Sequence, residues 1–369
     1  MARALPSGER ATPGRPSRRR PDGTSPAGEY EGPAKHRRDT WIHAKEIIRH
    51  STGSFRHDAG VAASARLDRS ALSRWCLKRL GWEPEQVLFE AGYLSQVIGL
   101  RLANGQDVVV KVRAWQERLV ACGQVQQSLV MSGFPAPQLL AAPERLGQLG
   151  LSAEALVHGG ELLATQEDSP TCFAEALSRL VRTAPDASAV GRLAPSPAWV
   201  GWDRAAGELW PDPDDRDGDL NTHPGDRWLD ELGAAAREQL LAVDRPVMVG
   251  HGDWYSQNLR WVARRLHVVH DWDSVVAQPE VAIAGQAAAV WPATGLPGEV
   301  ATLQQTEHFL AAYERARGNS WTDRDIRAAW AAGLWTRAFD AKKASLVGAD
   351  PGAVLTRAEA LERCRLAGL

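Results

Sequence analysis

The residues most able to do chemistry lie between Val247 and Ser274: His251, Gly252 and Asp253, Asn258 five positions after Asp253, and then Asp271, Trp272 and Asp273. Val247-Met248-Val249 and Leu266-His267-Val268-Val269 read as short apolar strands, and Leu259-Arg260-Trp261-Val262 is expected to pair with the second. Asp253 and Asp271 then each follow a strand end. Two acids with an amide between them suit phosphoryl transfer from a nucleotide. One acid accepts the proton of the attacking hydroxyl, while oxygen ligands hold Mg²⁺ against the phosphates. Mg²⁺ keeps several waters, so few protein ligands suffice. Either aspartate alone reads as a turn residue at a strand end. Taken with Asn258 and a lysine upstream, they read as a site. His251 is expected to be a hydrogen-bonded structural residue, and Trp254 and Trp272 to pack.

The elements that must position this set change character along the chain. Residues 70–80 place Leu72, Trp75, Cys76 and Leu80 on one helical face, with Ser70 as N-cap. Val87–Glu90, Gln96–Leu102 and Gln106–Arg113 read as three antiparallel strands, joined by a glycine turn over residues 91–95 and by Asn104-Gly105. Lys111 stands mid-strand among Val108, Val109, Val110 and Val112, where an unpaired ammonium is costly. Alternation puts Lys111 on one face with Val109, and a two-residue hairpin register adds Ile98 and Leu100. Leu119, Cys122, Val125, Gln126 and Leu129 then mark a helix ending before Gly133-Phe134-Pro135. Residues 151–157 read as a short extended segment closed by Gly159-Gly160, and the rest is mostly helical. A β-rich half precedes a helical half about twice as large, with the joint near residues 154–160.

The spacing His251-Gly252-Asp253 to Asn258, followed by Asp271-Trp272-Asp273, resembles the aminoglycoside phosphotransferase family, whose fold is similar to that of protein kinases. The resemblance covers residues from about 85 to 345. It implies an α+β, bilobal protein-kinase-like fold with a small antiparallel β-sheet N-lobe and a larger, mainly helical C-lobe. The expected divisions are a disordered basic tail (1–40), an N-terminal helical segment (41–82), a nucleotide-binding N-lobe (83–157) and a catalytic, acceptor-binding C-lobe (158–369). By the same resemblance Asp253 is the catalytic base, and Asn258 and Asp271 are Mg²⁺ ligands. Val109 and its face roof an adenine, with Lys111 reaching the α- and β-phosphates. Gly92-Tyr93-Leu94-Ser95 looks like the phosphate-covering loop, and Ala155 and Val157 like the hinge that bonds adenine through backbone groups.

Two departures stand out. Kinase-like folds pair the strand lysine with a glutamate on the next helix, but the corresponding region reads Ala-Cys-Gly-Gln-Val-Gln-Gln around Cys122. Glu117 is the nearest acid; it reads equally as a solvated first-turn residue favoured by the helix dipole. The second departure is Ala282–Gly285, where the family usually carries another aspartate.

Composition narrows the rest. The 369 residues are 44% hydrophobic and 24% charged with net charge −2, ordinary for a globular protein. No apolar run is long enough for a membrane span, and four scattered cysteines fit a reduced, cytoplasmic setting. Residues 1–40 hold nine basic against five acidic residues and six prolines, and lack the apolar run of a signal peptide. The overall charge argues against nucleic acid as partner. The loop 212–219 carries five aspartates, but an EF-hand alignment on Gly218 puts prolines at positions one and twelve, so it is not one. It reads as solvated, or, with Trp199, Trp202, Trp210 and Trp228 nearby, as a wall for a cationic acceptor. The reading is an ATP- or GTP-dependent, Mg²⁺-requiring phosphotransferase acting on a hydroxyl of a small molecule: an aminoglycoside-like antibiotic, or a metabolite such as choline, homoserine or a sugar. The alternative is a catalytically weak, nucleotide-binding regulator.

Overall fold

A computed structural model describes residues 67–92, 95–204, 207–294, 299–318 and 320–369. The expected tail (1–40), most of the segment 41–82, and Tyr93 and Leu94 lie outside the described residues.

Helix α1 (Arg69–Leu80) begins two residues earlier than an N-cap at Ser70 implies. Its N-cap is Asp68, whose Oδ1 accepts from the Ala71 N–H at 2.9 Å; Ser70 instead donates its hydroxyl to the same oxygen. Five strands follow: β1 (Pro84–Ala91), β2 (Gln96–Leu102), β3 (Asp107–Ala114), β4 (Leu139–Leu146) and β5 (Leu149–Ala155), in sheet order β1-β2-β3-β5-β4. Every pair is antiparallel. β4 was not legible, because Ala-Ala-Pro-Glu-Arg has little strand propensity. Its Pro143 is tolerated because β4 is an edge.

The hairpin between β2 and β3 corrects the expected register. Leu102 accepts from the Gly105 N–H and donates to Gln106, so the loop is Ala103-Asn104-Gly105, three residues, with Gly105 at φ 83°. One extra loop residue shifts the pairing by one and exchanges the faces. Val97 lies opposite Lys111, and Gly99 opposite Val109. Ile98 and Leu100 lie on the other face, in a core with Leu102, Val108, Val110 and Val112 that α1 covers with Leu72, Trp75 and Cys76.

Helix α2 (Arg118–Met131) lies between the sheet and the larger lobe and buries Ala121, Cys122, Val125 and Leu129 in the core of the latter. That lobe contains α3 (Ser169–Thr183), α4 (Arg227–Leu241), β6 (Val247–His251), β7 (Leu259–Val262), β8 (Arg265–Val269), β9 (Val275–Pro279), α5 (Glu280–Val290), α6 (Leu303–Arg317), α7 (Asp323–Ser345) and α8 (Arg357–Ala367). β7 pairs with β8 as expected, and β6 pairs with β9. Apart from its first residue, Glu280, α5 is buried on every side. Its Gly285 touches α7 so closely that a Cβ would collide with the Ala329 carbonyl. This explains the Ala282–Gly285 departure: the space is taken by helix packing. All four cysteines are free. Among the described residues no helix is long and apolar enough to cross a membrane.

Candidate active site

β6 ends at His251 and β8 at Val269, so Asp253 and Asp271 each emerge two residues beyond a strand. His251 is buried, and burial lowers its pKa to about 4. The neutral ring accepts from the Asp253 N–H through Nδ1 (3.1 Å) and donates from Nε2 to the His270 carbonyl (3.1 Å). This tautomer is assigned from the hydrogen-bond network, and it ties together the two segments that carry the acids. The Asn258 carbonyl accepts from the His270 N–H at 2.8 Å, a second tie. Beyond α5, the Trp291 carbonyl accepts from the Ser256 N–H at 2.8 Å and pins the segment between Asp253 and Asn258.

The two acids are near enough for the Asp271 charge to act on Asp253. Burial pushes the Asp253 carboxyl well above the usual range, and the charges of Asp271 and Asp214 push it further. Ser274 donates its hydroxyl to Asp253 Oδ2 at 3.2 Å. Asp271 takes the left-handed conformation (φ 65°, ψ 51°), uncommon for a residue with a side chain and most accessible to Asn and Asp. Asn258 donates Nδ2 to the Asp253 carbonyl at 3.0 Å, which leaves its Oδ1 without a partner among the described residues. Two neighbouring carboxyl groups and an amide oxygen are hard donors of the kind Mg²⁺ prefers, and a cation relieves the repulsion between the acids. Among the described residues no three His, Cys, Asp or Glu side chains are grouped to hold a metal. A Mg²⁺ ion completed by phosphate oxygens and water does not need three.

The sheet face that carries Val109 and Lys111 approaches this segment, and the Lys111 charge acts on the buried His251 and on His270. Val97, Gly99 and Val109 line this face, and the Phe89 ring rests on Gly99 where a Cβ would sit. The corrected register brings Phe89 to the roof, which the sequence reading missed. Gly92, at φ 132°, has its absent Cβ directed at the Ser95 carbonyl, so only glycine makes this turn. Ala155 ends β5 and donates its N–H to Gln138, while Leu156 donates to Asp107. Val157, just beyond, has an N–H without a backbone partner among the described residues.

The lysine's partner is not Glu117. Glu117 is exposed, and its Oε1 accepts from Trp115 Nε1 at 2.9 Å. Lys111 Nζ instead lies 3.2 Å from Glu154 Oε1, on β5. Arg118, in the first turn of α2, was also missed. Its buried guanidinium donates to the carbonyls of Leu193, Asp273 and Val275, fastening α2 to the segment that carries Asp271. A cation in a first turn opposes the helix dipole, and this was the signal available in the sequence. Arg113, two positions after Lys111, pairs with Asp273.

Beside the acids opens a cleft of ≈ 500 Å³, lined by Trp199 and Ser274, by the acids Glu117, Asp212, Asp214 and Asp273, and by the cations Arg118, Arg192 and Arg204, among others. Trp199 donates Nε1 to the Gly252 carbonyl at 2.9 Å, which fixes this wall to the segment that carries Asp253. Of the other expected tryptophans, Trp202 and Trp210 are core, and Trp228 lies under Arg357. Asp215 turns to Arg216 and Lys343.

No known family profile matches this chain, and no curated protein matches it in sequence. Solved structures do match. The amicoumacin kinase hAmiN, in complex with AMP-PNP, Ca²⁺ and Ami, aligns with a TM-score of 0.50 at 12% identity, over 80% of this chain and 92% of its own. A protein of Ralstonia eutropha JMP134, provisionally assigned as an aminoglycoside phosphotransferase, aligns at 0.52 and 15% identity, over 82% of this chain and 99% of its own. The fold is bilobal and kinase-like. Its small lobe is the five-stranded sheet with α1 and α2, and its large lobe carries the two acid-bearing strand ends.

Proposed function

We propose that the protein transfers the γ-phosphoryl group of ATP or GTP to a hydroxyl of a small molecule. The observation that carries this reading is that Asp253 and Asp271, near enough for their charges to interact, are tied through His251 and Asn258 in the segment that the Lys111 charge reaches. Asp253 takes the acceptor's proton as its oxygen attacks phosphorus. Asp271 and Asn258 Oδ1 hold Mg²⁺, which neutralises charge on the phosphates. Lys111 bonds the α- and β-phosphates. Val109 and Phe89 roof the base, while the Ala155 carbonyl and Val157 N–H bond its edge. The kinase hAmiN, which binds AMP-PNP and Ca²⁺, shares this fold and supports a nucleotide and a divalent cation as partners. The missing helix glutamate favours the alternative of a catalytically weak regulator, and the pairing of Lys111 with Glu154 on β5 supports the enzyme reading against it.

The cleft beside Asp253 is the acceptor site in this reading. Asp212 and Asp214 line it, and desolvation, with Asp215 and Asp340 nearby, raises the Asp214 carboxyl to about 6 even though Asp214 is reached by solvent from the cleft. Asp212, Asp214 and the Trp199 ring suit a cationic group on the acceptor, in a cleft that Arg118, Arg192 and Arg204 also line.

Calorimetric titration of Mg·ATP and Mg·GTP tests the nucleotide half. The wild-type chain is expected to bind at least one of them, and Asp271→Ala to weaken that affinity by about tenfold or more, the scale of one lost charge-assisted contact. Unchanged affinity in Asp271→Ala places the metal elsewhere.

A further inference from the structure

We propose that Glu154 is the residue that positions Lys111 for the nucleotide phosphates, and that the lysine is therefore held from within the sheet instead of from α2. This rests on the phosphotransferase reading above and assigns a role that the motifs left vacant.

The register dictates the pairing. Glu154 lies opposite Val109, one diagonal step from Lys111 on the same face, which is within reach of two long side chains. The ammonium and carboxylate are 3.2 Å apart, with side chains only 11% and 6% exposed. At such depth neither charge is tolerable alone, so each fixes the other. Gln126 completes the arrangement from α2, at 4% exposure. Its Nε2 donates to Glu154 Oε2 and to the Pro137 carbonyl, both at 3.0 Å. The helix thus supplies a neutral amide that orients the acid, and the acid itself stands on the strand beside the lysine's own.

A lysine–helix pair breaks when the helix swings away, whereas a pair between adjacent hydrogen-bonded strands does not. The helix here is also fastened, since Arg118 anchors its first turn to the backbone at Asp273 and Val275. Lys111 is consequently set in its phosphate-binding pose without a helix movement, and Glu154 acts as a positioning residue that touches no substrate.

The test is a double-mutant cycle on the full chain, with Glu154→Gln, Lys111→Met and the pair, titrated with Mg·AMP-PNP and separately with adenosine. Glu154→Gln is expected to weaken Mg·AMP-PNP by about tenfold or more while leaving adenosine within about twofold, because only the phosphate contact depends on the lysine. The pair is expected to lose little beyond Lys111→Met alone. Additive losses, an unchanged Mg·AMP-PNP affinity in Glu154→Gln, or an equal loss for adenosine overturns the assignment. Should Glu154→Gln not fold, Gln126→Ala keeps both charges and removes only the orienting amide. A several-fold loss confined to Mg·AMP-PNP supports the proposal, and no loss overturns it. Wild-type protein that binds neither ligand contradicts the phosphotransferase reading itself, a result distinct from all of these.

Discussion

Asp253 is the residue on which turnover depends most in this account. Its N–H is held by His251, its carbonyl by Asn258 and its Oδ2 by Ser274, so the carboxylate is aimed before any ligand arrives. Asp253→Asn keeps the shape and removes the basicity. It is expected to lower turnover by about 10²–10⁴-fold, the contribution of a positioned general base, with nucleotide affinity nearly unchanged. Steady-state rates beside a binding titration check this, and turnover within tenfold of wild type contradicts the role. The pattern from His251 to Asp271 was legible because those residues are close in sequence and each follows a recognisable strand. Glu154 was not, although a lone acid in Leu-Ser-Ala-Glu-Ala-Leu-Val called for a partner by the same reasoning that singled out Lys111. Its partner lies 43 positions away and is set by strand register, which one hairpin residue decides.

At the scale of elements, strands with strong alternation and helices with a clear face were readable, whereas β4 and β9 were not. β4 carries Pro143 and few β-formers, and β9 gains its identity only from pairing with β6. The long helix α7 shows what an element end contributes. Thr322 and Asp325 form a capping box, and Arg245 donates Nε to Asp325 Oδ1 at 2.8 Å. Burial alone would raise the Asp325 pKa, but the bonds from Arg245 and Thr322 prevail and hold it at about 2. This lies below the unfolded value of about 3.9, so its contribution is complete above about pH 4 and is lost as pH falls from there through the folded pKa. Arg245 is half exposed, which screens the pair. Asp325→Asn is expected to cost about 1–2 kcal/mol near neutral pH and about half of that near pH 3, measured by urea titration at both. An equal cost at the two pH values contradicts the ionic origin.

At the scale of the whole molecule, a polar cleft opens beside the Asp253 segment, and its wall of Asp212 and Asp214 is set against Arg118, Arg192 and Arg204 elsewhere in the lining. Asp212 and Asp214 line it beside Trp199, while Trp202 and Trp210, grouped with them from sequence, serve the core. Composition cannot separate a tryptophan that lines a cleft from one that fills a lobe; packing does. Replacing Asp212 and Asp214 together by Asn is expected to raise KM for a cationic acceptor several-fold, with KM for the nucleotide nearly unaltered. Equal KM values for that acceptor, or an acceptor that proves neutral or anionic, contradict the charge argument. The central claim, that this cleft transfers a phosphoryl group, is tested most directly by following label from γ-³²P-ATP and γ-³²P-GTP with Mg²⁺ into a panel of hydroxylated amines, amino sugars, sugars and antibiotics. The account predicts label on an acceptor hydroxyl with wild-type protein, and none above background when Mg²⁺ is chelated or Asp253 is replaced by Asn. Label transfer that persists in Asp253→Asn, or a wild-type chain that binds nucleotide and labels nothing in the panel, contradicts it.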